Sequence, residues 1–255
     1  MIGAGGCPGL LQAAGALPEM VYAAVRQTNF GYDDRSSCMS RSGHLHMLNR
    51  TIIVSLLMLA AGMSIAQGPA VVDGCNIRRG TFCVNMNLHG ADLAGANLAN
   101  SQFSRSVLST ANLAGVNFNE ANLRSADLRN ADLRDASLIR TNARGAEFGG
   151  ANLGGATLEG AILQNADLSG ADLSEAKLGG ADLTNARLNG ARLDGADLQR
   201  ANLRAAELRG ASLTGANLQG ANFSRANLIE ADLSGARIER AIFTGAQTRG
   251  CVGCP

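Results

Sequence analysis

The 255-residue chain has no Trp, two Tyr and seven Phe, too few aromatics for the core of a conventional enzyme of this length. Charge of either sign in excess is also missing: 22 Lys and Arg face 21 Asp and Glu, so whole-chain electrostatics predict no nucleic-acid or membrane-surface binding. Proline is scarce, with four residues, and no P-loop pattern GxxxxGK[ST] occurs among the 32 glycines. The three histidines are His44 and His46, an isolated HxH, and His89. One such pair without further ligands does not make a metal site. No cysteine lies between Val84 and Gly250, so any disulfide belongs to the ends of the chain.

What is present is a repeat of five. From Met86 to Gly245, thirty-two pentads follow one another without insertion or deletion. The third position is Leu, Phe or Ile in every pentad except at Ala143, and the first is Ala in twenty-seven. On an α-helix, residues five apart scatter around the whole circumference, so no continuous apolar face would form. A flat strand fails too, because five is odd and successive third positions would point to opposite faces. The chain must therefore bend once per pentad. In a short extended segment the first and third residues share a face, and both point inward. The fifth position is Gly in sixteen pentads and Asn in four (Asn100, Asn130, Asn165, Asn185), residues that tolerate the positive φ required at the second central residue of a type II turn. Asn or Asp fills the second position in nineteen pentads, which suits side-chain hydrogen bonds to turn backbone.

This pattern, Ala-Asp/Asn-Leu followed by two variable residues, resembles the pentapeptide-repeat family. The resemblance implies an all-β fold, a right-handed quadrilateral β-helix in which four pentads make one square turn. Arithmetic alone does not choose four sides over three. Thirty-two pentads then make about eight coils, a rod of roughly 38 Å at strand spacing. Leu88, Leu93, Leu98, Phe103, Leu153, Leu173, Leu193, Phe223 and Phe243 are expected to stack in the bore and leave no channel. Ser101, Ser106 and Thr141 bring hydroxyls to the inward small site, and the coils around Ser101 to Thr110 are expected to be less regular than those from Ala151 to Leu218.

The rest of the chain divides around the rod. Residues 1–46 are expected to be a disordered or untranslated leader. From Met47 a basic start is followed by an apolar run, Ile52 to Met63, and small residues at Ser64 and Ala66, which together read as a secretory signal over 47–66 with cleavage between Ala66 and Gln67. The run falls short of the ~20 residues of a bilayer span, so a permanent anchor is not expected. The other readings are an N-terminal hydrophobic helix and an uncleaved anchor. Residues 67–85 form an N-terminal cap whose Thr81 to Asn85 resembles an imperfect opening pentad. Residues 246–255 are a Cys-containing tail.

Export would leave Cys75 and Cys83 at one end and Cys251 and Cys254 at the other. An open β-helix needs caps at both ends, and two short-range disulfides would staple them. Pairings that join the ends are excluded within one rod of about 38 Å, because bridged Cα atoms lie within about 7 Å. A redox or metal role for Cys251-Val-Gly-Cys254, or free or intermolecular thiols, are the competing readings.

No catalytic constellation emerges. Asp92, Asp127, Asp132, Asp167 and Asp172 sit where the repeat wants turn acceptors, a filled bore leaves no cleft, and no cofactor is expected. Function is therefore sought on the outer surface. Between Met86 and Gln247, fifteen Lys and Arg face seventeen Asp and Glu. Some family members imitate DNA in shape and negative charge and protect type II topoisomerases, which requires a strongly acidic rod. This one is balanced, and Arg124, Arg129, Arg134, Arg140 and Arg144 offer a possible docking patch. The reading is an exported, non-enzymatic interaction or structural module, periplasmic or secreted, a monomer or an end-to-end homodimer with an unknown protein partner and no nucleic acid. The alternative is a cytoplasmic topoisomerase-protecting DNA mimic.

Overall fold

The computed structural model describes residues 70–255. The leader and the expected signal cleavage at Ala66 and Gln67 lie outside the described residues. From Thr81 to Gly250 one five-residue conformation repeats without interruption: an inward residue, an outward residue in a β-bridge, a second inward residue, then a two-residue turn. The turn closes on a hydrogen bond from the amide of the next first residue to the third-position carbonyl, as in Ala91 N to Leu88 O at 3.1 Å. All thirty-two fifth positions from Gly90 to Gly245 have φ between +53° and +71°. Twelve of these are neither Gly nor Asn, among them Arg105, Glu175 and Ala205. The turn is thus imposed even where the side chain opposes it, at a cost of about 1–2 kcal/mol for an L-residue held there.

The bridges link each second-position residue to the one twenty positions on, always in parallel: Phe82 to Gln102, Gln102 to Asn122, and so to Asn222 with Ile242. Four pentads therefore complete a turn, and the coil has four sides. The first side carries the column from Phe82 to Ile242, the second that from Asn87 to Gln247, the third that from Asp92 to Val252, and the fourth that from Asn97 to Arg237. The first and third sides are opposite. The fourth and fifth residues of each pentad form the corner after its side.

The bore is filled. Leu88, Leu98, Phe103, Leu153, Leu173, Leu193 and Phe223 are fully buried, Leu93 nearly so, and the first-position alanines pack beside them. Phe103 meets Phe118 edge to face at 5.6 Å between ring centroids, and Phe223 stacks on Phe243 at 5.1 Å with an interplanar angle of 4°. The expected irregularity around Ser101 to Thr110 is absent. The buried hydroxyls explain why. Ser101 Oγ accepts from Thr81 N (3.2 Å) and Ser106 Oγ from Met86 N (3.1 Å), while Ser106 Oγ donates to the Cys83 carbonyl. Thr141 Oγ1 likewise donates to the Phe118 carbonyl at 2.7 Å. Each hydroxyl is satisfied by the preceding coil, so the small polar residue does not loosen the stack.

The two ends differ. At the N-terminal end, β1 (Ala70–Val72) and β2 (Cys75–Ile77) form an antiparallel hairpin, turned by Asp73 and Gly74 at φ 47° and 81°. Two positive φ values in succession are the signature of a type I′ hairpin, for which Asp-Gly is a preferred pair. The hairpin carries Cys75 into the core, where it is bonded to buried Cys83 with Cα atoms 5.5 Å apart. At the C-terminal end Cys251 and Cys254 are bonded, with Cα atoms 5.8 Å apart. That tail closes over the third side, where Leu233 N donates to the Val252 carbonyl (2.8 Å) and Leu233 stays buried. Ala236, Ile238, Ala241, Phe243 and Ala246 are only half-buried.

Candidate functional site

The described residues offer chemistry only on the outside of the rod. No group of three or more His, Cys, Asp or Glu among them is arranged to hold a metal ion. No helix among them is long and apolar enough to cross a membrane. The surface concavities are shallow and polar; one of about 390 Å³ is lined by Ser104, Arg105, Asn122, Arg124 and Ser125.

The second-position carboxylates and amides serve the turns. Asp167 Oδ1 accepts from Ser169 N (3.0 Å), Asp182 Oδ1 from Thr184 N (3.0 Å) and Asn222 Oδ1 from Ser224 N (3.0 Å), each bond spanning two residues. Others link coils, as when Asn122 Nδ2 donates to Gln102 Oε1 at 2.8 Å. Hydrogen bonds from Arg129 hold Asp127 below the usual carboxylate range, against a partial desolvation that works the other way. Arg134 does the same for Asp132. For Asp182, burial pushes upward, but hydrogen bonds from Thr184, Gln164 and Asn202 together bring it down. These carboxylates stay ionised and engaged, the opposite of what a general acid needs. His89 is exposed, with Nδ1 2.9 Å from Ser109 Oγ.

The five arginines of the candidate patch do not come together. Successive fourth positions fall on successive corners, so Arg124 and Arg144 share the corner after the first side while Arg129 and Arg134 follow the second and third. Arg140 is a fifth-position residue on the corner after the fourth side. Arg129 is paired with Asp127 (2.7 Å) and Arg134 with Asp132 (2.6 Å). Proximity in sequence misled here because neighbours in a four-sided coil are twenty residues apart.

Sorting charge by side reveals what the balanced total hides. The first side and its corner carry Arg105, Arg124, Arg144, Arg204 and Arg225 against one carboxylate, Asp182. The third side and its corner carry seven carboxylates, among them Asp132, Asp172, Asp194 and Asp232, against Arg134 and Arg192. The rod is basic along one side and acidic along the opposite one.

A family model described as pentapeptide repeats, in eight copies, matches residues 142–180, 151–190, 166–204 and 206–245, and one described as a pentapeptide repeat region matches 84–158. The chain belongs to the pentapeptide-repeat family. Solved pentapeptide-repeat proteins similar to it include HetL of Nostoc sp. strain PCC 7120, involved in heterocyst differentiation regulation, at 34% identity over 77% of this chain and 94% of that one, with a TM-score of 0.25. Rfr23 of the cyanobacterium Cyanothece 51142 is 40% identical over 36% of this chain, which spans 63% of its length, with a TM-score of 0.35. Full-length QnrB1, a plasmid-mediated fluoroquinolone resistance protein, is 22% identical over 65% of this chain and 90% of that one, with a TM-score of 0.53. No curated protein matches. As a pentapeptide-repeat protein the chain is a right-handed quadrilateral β-helix.

Proposed function

We propose that this pentapeptide-repeat protein is an exported, non-enzymatic module that acts outside the cytoplasm, periplasmic or secreted, as a rigid rod of eight turns between Met86 and Gly245 for docking other proteins. The observation that carries this reading is the filled bore: the third-position side chains from Leu98 to Leu233 are buried, so the rod has no interior site, and binding chemistry is left to four regular outer sides. Two disulfides confined to the caps favour an oxidising compartment. The cytoplasmic DNA-mimic reading needs negative charge all round, and the arginine-rich first side works against it.

Mass spectrometry of the protein from its native host tests export: a mature chain beginning at Gln67 supports it, and a chain retaining Met1 or Met47 overturns it. Thiol titration of the same sample is expected to find no reactive thiol before reduction and four after it. The open C-terminal end supports end-to-end association, since Phe243 and Ile238 are half-exposed there.

A further inference from the structure

Among the described residues, three of the five exposed large apolar side chains stand in a single column: Phe82, Ile162 and Ile242, at 82%, 39% and 48% exposure. Four turns separate each from the next, roughly 19 Å at strand spacing. Their column is that of the first side, the basic one. Arg105, Arg124 and Arg144 lie between Phe82 and Ile162, and Arg204 and Arg225 between Ile162 and Ile242. All five arginines are exposed and none makes an ion pair among the described residues; elsewhere on the rod Arg129, Arg134, Arg187, Arg192 and Arg209 are paired, while Arg140, Arg200, Arg237 and Arg240 on the fourth side and its corner are not. Asp182, the one carboxylate on this side, is engaged by Gln164, Thr184 and Asn202.

Scattered apolar residues on a surface need no explanation, but three in register with a row of free arginines on a flat side do. A nucleic-acid strand would call for stacking aromatics, and only Phe82 is aromatic here. Strand addition is closed, because the backbone groups of this side bond to the coils before and after, as Gln102 N does to Thr81 O and Asn122 N to Ser101 O. A soluble anionic polymer would use the arginines and leave the apolar residues idle. A planar surface of anionic headgroups over an apolar interior engages both: guanidinium groups pair with phosphates while the apolar side chains enter the headgroup and acyl boundary.

We propose that the first side docks the rod lengthwise on an anionic lipid surface, through Arg105, Arg124, Arg144, Arg204 and Arg225 and the apolar contacts Phe82, Ile162 and Ile242. The docking is peripheral and reversible, holds in whichever compartment the rod resides, and leaves the acidic third side turned away from the lipid.

The compact unit Ala66–Pro255 contains the cap, the rod and both disulfides, so a chain beginning at Gln67 is the protein to test, free of the apolar leader. Co-sedimentation with phosphatidylglycerol/phosphatidylcholine vesicles is expected, weakening as salt rises, with little binding to phosphatidylcholine alone. The triple variant Arg124→Gln, Arg144→Gln, Arg204→Gln loses the anionic preference, while the opposite-side control Arg134→Gln, Arg192→Gln keeps it. Ile162→Ser with Ile242→Ser weakens vesicle binding roughly tenfold, from the lost apolar burial, at an unchanged melting temperature. Equal binding to both vesicle types, or first-side variants that bind like the parent, overturns the proposal. So does tight binding to soluble polyglutamate that is indifferent to the two isoleucine substitutions, which would make the side a polymer-binding one.

Discussion

An inward residue in the middle of the rod packs between the coil before it and the coil after it, so its removal is felt on both faces. Leu173 is fully buried in the middle of the stack. Leu173→Ala is expected to cost about 2–5 kcal/mol by urea denaturation, the range for a buried Leu replaced by Ala. Ser106 tests a different force. Its hydroxyl is the hydrogen-bond acceptor for Met86 N and a donor to the Cys83 carbonyl. Ser106→Ala conforms better to the repeat but leaves a half-buried amide without that partner, so it is expected to destabilise by about 1–3 kcal/mol. The repeat alone ranks Ser106 as a soft spot, and the opposite outcome, a more stable alanine variant, would support that simpler view. The residue-scale pattern of small and large inward positions was legible in the sequence because only a bend in every pentad keeps both kinds on one side. The destination of the serine hydroxyls was not, since their partners lie 20 to 23 residues away.

At the scale of the coil and its caps, parallel bridges and the Asx-type bonds at the turns share the work. Asp127 and Asp132 are held below their ordinary range by Arg129 and Arg134. A carboxylate whose folded pKa is depressed contributes stability above its unfolded value, about 3.9 for Asp, and loses it as pH falls through the lower folded value. The melting temperature is therefore expected to be flat from neutral pH to about 5 and to fall below about 4. The N-terminal staple closes a longer loop than the C-terminal one, eight residues of separation against three. Replacing Cys75 and Cys83 by Ser is expected to cost about 2–3 kcal/mol, more than the same change at Cys251 and Cys254. Because stability in a repeat array adds up from neighbour to neighbour, hydrogen exchange should accelerate first in the coil beginning at Thr81. The cysteines could be assigned to the ends from sequence, since the repeats contain none. The hairpin that delivers Cys75 was missed, although Asp73-Gly74 between Ala70-Val71-Val72 and Cys75-Asn76-Ile77 was the signal for it.

For the whole molecule, the half-open C-terminal end predicts concentration-dependent association. Phe243→Ser, which removes the exposed face of the ring stacked on Phe223, is expected to shift sedimentation velocity toward the monomer. The acidic third side and basic first side also predict a large electric dipole across the rod, measurable as ion-exchange retention on both anion and cation resins despite the balanced total. That total concealed the segregation. The arginines 124 to 144 look contiguous when written as a string, yet only Arg124 and Arg144 share a corner. Arg204 and Arg225, far along the chain, belong with them.

The sequence by itself determined that the chain bends every five residues and buries one small and one large side chain per bend, because no helix or flat strand brings residues five apart to a common face. Tertiary structure decided the number of sides. Only the parallel pairing of residue i with residue i+20 sets which outward residues become neighbours, and with that it decides where the surface is basic, where it is acidic and which end stays open. Inward positions repeat with the pentad, a local period, while outward character repeats with the coil, whose closure depends on hydrogen bonds between segments that no stretch of sequence contains together.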